Sequence, residues 1–243
     1  MSAALAKIHP LLRAWPKAPR DTLPLALWDA QAIAAATDGA ASGDFQASGV
    51  EMDSRDVRPG DLFIALKGEA MDGHRFLDMA FAKGAVAAIT DRVVDYPHVL
   101  VSDTTQALHD LAHAARERSE AVRIGVTGSV GKTGVKEAIF NALDRASRGG
   151  AHRSVRSYNN HVGVPLSLAR LPARARFGVF EMGMNHEGEI APLADHVCPN
   201  VALITTIAPA HIENLGAIEA IADEKAQIFT GIAEGGTAII PAD

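Results

Sequence analysis

The sequence has few cysteines, few aromatic residues and no long apolar run. Its single cysteine, Cys198, excludes an internal disulfide and indicates a reducing compartment. Aromatic residues make up 5% of the chain, and no apolar stretch reaches the roughly 18 residues that a membrane helix needs. The formal charge of -6 argues against a nucleic-acid surface, which usually shows as a basic face. We therefore expect a cytoplasmic protein that binds neither membrane nor nucleic acid.

The composition is that of a folded globular protein, because 48% of the residues are apolar and 21% are charged. Residues 1–24 stand apart. They carry Pro10, Pro16 and Pro19, and they lack the apolar core and small-residue cleavage site of a signal peptide. We interpret residues 1–24 as an N-terminal extension.

Residues 25–120 predict a small α/β unit, because short apolar runs alternate with helical patterns. DLFIALKG is one predicted strand. TTQALHDLAHAARERSE is a predicted helix, with Thr104 or Thr105 as its cap. The polar run at its end, residues 116–120, marks the predicted boundary to a second domain.

Residues 121–243 predict a central domain with a mostly parallel, doubly wound sheet, because strands and helices alternate along them. One predicted helix covers residues 217–233. Only about four strands are predicted, fewer than such domains usually have, so we expect a fragment of a longer protein. Four arginines predict a solvated loop, with contact to an anionic ligand as the alternative: Arg145, Arg148, Arg153 and Arg156.

The stretch GVTGSVGKT, residues 125–133, nearly matches the phosphate-binding loop pattern G-x-x-x-x-G-K-[ST]. Its last three positions are present, but Val126 stands where the first glycine belongs. An apolar strand precedes the loop and an amphipathic helix follows it, which is the context such a loop requires. The alternative is a glycine turn that happens to carry Lys-Thr.

The first glycine of the loop stands at position 128 instead of 126. With this shift, residues 127–133 resemble the tighter loop of the Mur ligase superfamily, T-G-[ST]-x-G-K-[ST]. Residues 53–76 also resemble the uridine-nucleotide-binding domain of this family. The segments YNNHVGVPLSL and FEMGMNHEGEI are similar to the member that adds the last peptide unit to the peptidoglycan precursor. The resemblance runs from about residue 25 to residue 243.

This resemblance implies an ATP-dependent, amide-bond-forming ligase of peptidoglycan synthesis. It implies that D-alanyl-D-alanine is joined to UDP-N-acetylmuramoyl-tripeptide through an acyl phosphate, with ATP and Mg²⁺. A third, C-terminal domain of the family is absent from these 243 residues. We therefore expect the chain alone to be inactive, and we expect a monomer.

The resemblance also assigns residues to the ATP and metal sites. Thr133 and Glu181 would hold one Mg²⁺, and Glu181 also follows an apolar run, where a metal ligand or a loop cap is expected. His211 and Lys225, the latter as a CO₂-derived carbamate, would hold the second. By sequence alone, His211 is more often a surface or hydrogen-bonding residue and Lys225 a solvated helix lysine. The predicted ATP-binding residues are Thr127, Gly128, Ser129, Val130, Gly131, Lys132 and Thr133.

The predicted substrate-binding residues have ordinary structural alternatives. Asp53 and Arg55 could form a local ion pair, His74 could belong to a helix cap, and the two asparagines could simply form a loop. The full set is Asp53, Ser54, Arg55, Lys67, Gly68, His74, Asn159 and Asn160.

Three other functions remain open. Another ligase of the superfamily, either the third-residue ligase or folylpolyglutamate synthase, would share the loop and Lys225. A P-loop kinase or transport ATPase would need no uridine-binding domain and would usually carry an aspartate where Glu181 stands. A noncatalytic nucleotide-binding module is the third.

Overall fold

The computed structural model describes residues 26–68, 71–209 and 217–242. The predicted extension, residues 1–24, and the predicted metal ligand His211 lie outside these ranges.

The first unit is built around a five-stranded sheet in the order β2-β7-β6-β5-β4. Strands β4 to β7 are parallel, and β2 is an antiparallel edge strand. Strands β1 and β3 form a separate antiparallel pair. The strands are β1 (Trp28–Asp29), β2 (Ala40–Ala41), β3 (Gln46–Ala47), β4 (Gly49–Glu51), β5 (Asp61–Ile64), β6 (Ala87–Thr90) and β7 (His98–Leu100).

Helices cover both faces of this sheet. Leu62 and Ile64 of β5 pack into one core cluster and Phe63 into another, so the strand is buried on both sides. The helices are α1 (Ala30–Thr37), a 3₁₀ turn (Gly73–Phe76), α2 (Leu77–Ala82) and α3 (Thr104–Glu117).

The predicted cap of α3 was wrong. Asp103 caps the helix, and its carboxylate accepts hydrogen bonds from the backbone N–H groups of Thr105 and Gln106. Thr104 is already helical and buried. An ionised side chain is also better suited to the positive end of the helix dipole than a hydroxyl.

The second unit contains a five-stranded, fully parallel sheet in the order β12-β11-β8-β10-β9. The sequence predicted only four of these strands. It missed β9, which has three half-buried residues at the sheet edge and therefore no apolar run. The strands are β8 (Val122–Thr127), β9 (Ala151–Arg153), β10 (Phe177–Glu181), β11 (Val201–Ile204) and β12 (Thr237–Ile239).

Helices lie on both faces of the second sheet, as the doubly wound prediction requires. Val126 and Val179 pack against the helix after β8, whereas Phe180 and Met182 pack into the cluster on the other side. The predicted helix 217–233 is shorter, because a 3₁₀ turn (Gln227–Phe229) follows Ala226. The helices are α4 (Lys132–Ser147), α5 (Gly163–Ala169), α6 (Ile190–Val197) and α7 (Ile218–Ala226).

The two units contact each other through α5 and the segment before it. Arg170 donates to Glu51 at 2.6 Å, and both side chains are largely buried. The Trp28 indole donates to the carbonyl of Ala169 at 2.9 Å. The exact domain boundary stays a prediction.

Of the four arginines predicted to form a solvated loop, Arg145 lies in the last turn of α4 and Arg153 in β9, so the prediction is wrong for these two. Arg148 and Arg156 lie outside helices and strands and are exposed, and the Arg156 guanidinium also pairs with Asp56 of the first unit.

Within the described parts of the chain, no helix combines the length and apolarity that crossing a membrane requires.

Candidate nucleotide and metal site

The loop between β8 and α4 depends on glycine at two positions. Gly128 has φ = +142° and Gly131 has φ = +84°, conformations that L side chains rarely adopt. A Cβ on Gly128 would also lie 2.0 Å from the hydroxyl oxygen of Thr205. Position 128 therefore requires glycine, because the loop backbone there lies close to Thr205, just after strand β11.

The segment after β11 supports the loop from the opposite side. Ser129 donates its N–H to the Thr206 carbonyl at 2.8 Å and its hydroxyl to the Ala208 carbonyl at 2.9 Å. The Thr205 hydroxyl donates to the Val130 carbonyl at 2.6 Å. Sequence reasoning missed these supporting residues, because the pairing joins positions more than 70 residues apart.

The N-terminus of α4 is suited to an anion. No side chain caps it, so its first-turn N–H groups and the helix dipole face the loop. Lys132 opens the helix, and its ammonium donates to the Gly128 carbonyl at 2.8 Å. Burial lowers the pKa of Lys132, and the negative charge of Glu181 opposes that shift.

Glu181 ends β10, and its side chain lies beside the loop with 1% of the residue exposed. The Thr133 hydroxyl donates to its two carboxylate oxygens, at 2.9 and 3.1 Å. The Asn159 amide donates to Glu181 Oε1 at 2.9 Å. A hydroxyl and a carboxylate are hard oxygen donors of the kind that Mg²⁺ prefers, so the predicted pair Thr133 and Glu181 fits such a cation chemically.

A second lysine of α4 reaches the same carboxylate. Lys136 is fully buried, and its Nζ lies 3.6 Å from Glu181 Oε2. Sequence reasoning missed this residue. The only available signal was its spacing of three from Thr133, which places both on one side of the helix, but a lysine beside an apolar face is usually solvated.

Lys225 is 1% exposed, so its interpretation as a solvated helix lysine is wrong. Burial lowers the pKa of its amine to about 8, and the positive charge of Lys132 contributes to the shift, whereas Glu224 opposes it. Lys225 therefore lies within electrostatic range of Lys132, the lysine of the phosphate-binding loop. Its neighbour Glu224 is also buried and accepts the N–H groups of Gly188 and Ile190 at 2.9 Å.

The second predicted metal set has only Lys225 within the described ranges. There, no group of three or more histidine, cysteine, aspartate or glutamate side chains is arranged to hold a metal. Two exposed residues after β10 contact a carboxylate: the Asn185 backbone N–H donates to Glu189, and the His186 ring lies 3.3 Å from the same side chain. The pairing of His211 with Lys225 stays a prediction.

In the first unit, the ion-pair alternative for Asp53 and Arg55 is present in the structure. The Arg55 guanidinium donates to both oxygens of Asp53, at 2.6 to 3.2 Å. These hydrogen bonds lower the pKa of Asp53 to about 2. Ser54 between them is buried and contacts the sulfur of Met79. Arg55 itself remains exposed.

Lys67, Gly68 and His74 lie together near one turn of the first unit. The backbones of Lys67 and Asp72 form an isolated antiparallel β-bridge, and the Gly68 N–H donates to the Met71 carbonyl. Asp72 caps the 3₁₀ turn, and the His74 ring contacts both Asp72, at 2.6 Å, and Asp91, at 3.1 Å. These contacts fit the helix-cap alternative for His74, and its predicted role in substrate binding stays a prediction.

The two predicted asparagines have different surroundings. Asn159 contacts Glu181, whereas the side chain of Asn160 accepts the N–H groups of Val162 and Gly163 at the start of α5. Between the units lies a polar cavity of about 450 Å³. Its lining includes Glu51, Asp56, Arg58, Arg156, Tyr158 and Arg170.

The fold and this site define an α/β protein with a phosphate-binding loop. Two family models match it: the Mur ligase family catalytic domain over residues 46–123 and the Mur ligase middle domain over residues 126–243. The chain belongs to the Mur ligase family, which confirms the family indicated by its motifs.

Curated relatives include the UDP-N-acetylmuramoyl-tripeptide–D-alanyl-D-alanine ligase of Escherichia coli (strain K12). It is 40% identical over 202 residues, which cover 82% of this chain and 44% of the relative. The protein of the same name from Bacillus subtilis (strain 168) is 40% identical over 200 residues, or 80% of this chain and 43% of the relative. The chain thus spans somewhat under half the length of these relatives.

Solved structures confirm the predicted fold class. MurF from Acinetobacter baumannii matches with a TM-score of 0.75 and 34% identity over 89% of this chain and 49% of that one. The MurF ligase of Thermotoga maritima in complex with ADP matches with a TM-score of 0.64 and 33% identity, over 80% and 46% respectively.

Proposed function

We propose that this chain is the substrate-binding and ATP-binding portion of a ligase that joins D-alanyl-D-alanine to UDP-N-acetylmuramoyl-tripeptide. The observation that carries the proposal is the pairing of Thr133 with buried Glu181 beside Lys132 at the phosphate-binding loop. The relatives named above support this substrate pair, and the Thermotoga maritima complex supports an adenine nucleotide.

The residues of the loop would act on ATP by positioning and charge neutralisation. The N–H groups at the start of α4 would hold phosphate oxygens, and Lys132 would turn from the Gly128 carbonyl to the β- and γ-phosphates. Thr133 and Glu181 would hold Mg²⁺, which when bound neutralises charge between those phosphates. Such positioning is what phosphoryl transfer mainly requires.

Lys225 would act as a carbamate. Its neutral amine attacks CO₂, forming a C–N bond and releasing one proton, so that an ammonium that cannot ligate a cation becomes an anionic oxygen ligand. Burial and a pKa of about 8 support this assignment, because both raise the fraction of neutral amine at physiological pH. His211 would complete the second metal site.

The chemistry would proceed in two steps. A carboxylate oxygen of the tripeptide attacks the γ-phosphorus of ATP, so that ADP leaves and an acyl phosphate forms. The amine of D-alanyl-D-alanine then attacks the acyl carbon, and phosphate leaves as the amide bond forms. Asn159 would help to orient the reacting groups, and residues 53–76 would bind the UDP moiety.

We expect the 243-residue chain to bind UDP-N-acetylmuramoyl-tripeptide and ADP without forming an amide product. Calorimetry tests the binding, with UDP-N-acetylglucosamine as the matched ligand that lacks the peptide. A coupled phosphate assay tests turnover. Failure to bind UDP-N-acetylmuramoyl-tripeptide or ADP would contradict the proposed function. Steady phosphate release that depends on the dipeptide would contradict the expectation that this chain binds substrates without forming product.

A further inference from the structure

The stretch between β9 and α5, residues 154–160, is named the bridging segment because it contacts both the nucleotide site and the first unit. The Ser154 hydroxyl accepts the N–H of Glu181 at 3.2 Å, and Asn159 donates to the carboxylate of the same glutamate. Two residues after Ser154, Arg156 forms a bidentate pair with Asp56 of the first unit, at 2.6 and 2.8 Å. Residues 155, 156 and 158 of the bridging segment also line the cavity between the units.

Lys136 fixes this segment from beneath. Its Nζ donates to the Arg156 carbonyl at 2.5 Å and to the Ser154 carbonyl at 3.2 Å. These two contacts are shorter than its 3.6 Å approach to Glu181. A buried ammonium is costly unless it is paired and hydrogen-bonded, and without it both carbonyls would lose this donor.

The backbone at Arg156 needs such support. Its φ is +56°, a left-handed conformation that is unfavourable for a residue with a Cβ. Such a conformation persists only where the surroundings over-determine it. Here the surroundings are Lys136 at the carbonyl and Asp56 at the guanidinium.

We propose that Lys136 is a positioning residue that fixes the bridging segment, and through it the cavity wall that faces the UDP-binding unit. The part of this inference that concerns ligands rests on the proposed function. Lys136 acts through the segment and does not itself contact a phosphate, which distinguishes it from Lys132.

The test compares Lys136→Met with wild type and with Glu137→Gln, the matched control. Glu137 also pairs with Lys136, at 3.3 Å, and its second ion pair, at 3.0 Å, is with Arg153, which precedes the bridging segment. In Lys136→Met we expect amide exchange at Ser154 and Gly183 to accelerate by about 10-fold or more. The Ser154 amide belongs to the segment and donates to the Val179 carbonyl, and the Gly183 amide donates to the carbonyl of Asn159 in the segment. Glu137→Gln should exchange like wild type.

Ligand affinity gives the second readout. Calorimetry should show binding of UDP-N-acetylmuramoyl-tripeptide weakened by about 10-fold in Lys136→Met, with ADP affinity within about twofold of wild type. Lys136→Arg, which keeps charge and donors, should recover part of the loss. If Lys136→Met does not fold, Lys136→Gln replaces it under the same criteria.

Unchanged exchange in a folded Lys136→Met protein would overturn the inference. An equal loss of ADP affinity would also overturn it, because Lys136 would then be a general support of α4. Exchange requires no ligand, so it judges Lys136 even if wild type binds no UDP compound. That absence of binding would contradict the proposed function instead.

Discussion

Lys225→Ala should nearly abolish turnover in the complete ligase to which we assign this chain. Removing an anionic metal ligand forfeits several kcal/mol of charge stabilisation in the transition state, so we expect a loss of about 1,000-fold or more. Added short carboxylates should partly restore turnover by occupying the vacated volume as substitute ligands. A coupled phosphate assay with and without acetate or formate measures both effects.

The pH dependence follows from the same chemistry. Carbamate formation consumes the neutral amine, whose fraction falls as pH drops below the pKa of about 8. Stripping CO₂ at mildly acidic pH should therefore lower activity, and bicarbonate should restore it. Full activity of Lys225→Ala would refute the assignment, whereas loss without carboxylate rescue would favour a charged lysine that binds substrate directly.

Lys132→Ala should have the second large effect. The charge that develops on the γ-phosphoryl group would lose its nearest protein cation, and we expect turnover to fall by about 100- to 1,000-fold. The change should persist at saturating ATP, because the interaction strengthens in the transition state. Steady-state kinetics of the complete ligase measure it.

Arg145→Ala provides the control for Lys132→Ala. Arg145 is an exposed cation in the last turn of the same helix, far along α4 from the loop. Its loss should leave turnover within about twofold, as surface substitutions usually change little. Near-normal turnover of Lys132→Ala at saturating ATP would mean that the loop is structural only.

The local motifs carried most of what the sequence predicted correctly. The phosphate-binding loop is contiguous, and its glycines are required by the backbone itself, so residues 127–133 identify it without tertiary information. The parallel sheet followed from alternating strands and helices, since crossover connections between strands dictate it. The placement of Glu181 beside the loop followed from its position at the end of an apolar run, whereas its role as a metal ligand stays a prediction.

Other features depend on long-range contacts and left no local signal. Strand β9 is short and half-buried, so pairing with β10 alone defines it. Lys136 and Glu224 resemble surface residues in sequence, yet both are buried against backbone groups from other parts of the chain. The Arg156–Asp56 pair joins residues 100 positions apart. Burial of charge was therefore the least predictable property.

The most direct test of the account follows one oxygen atom through the reaction. The complete ligase is supplied with ATP, D-alanyl-D-alanine and UDP-N-acetylmuramoyl-tripeptide whose terminal carboxylate is labelled with oxygen-18, and the released phosphate is analysed by mass spectrometry. Attack of the carboxylate on the γ-phosphorus predicts one labelled oxygen in each phosphate released. Unlabelled phosphate would show that water or another nucleophile receives the phosphoryl group, and it would contradict an acyl phosphate ligase.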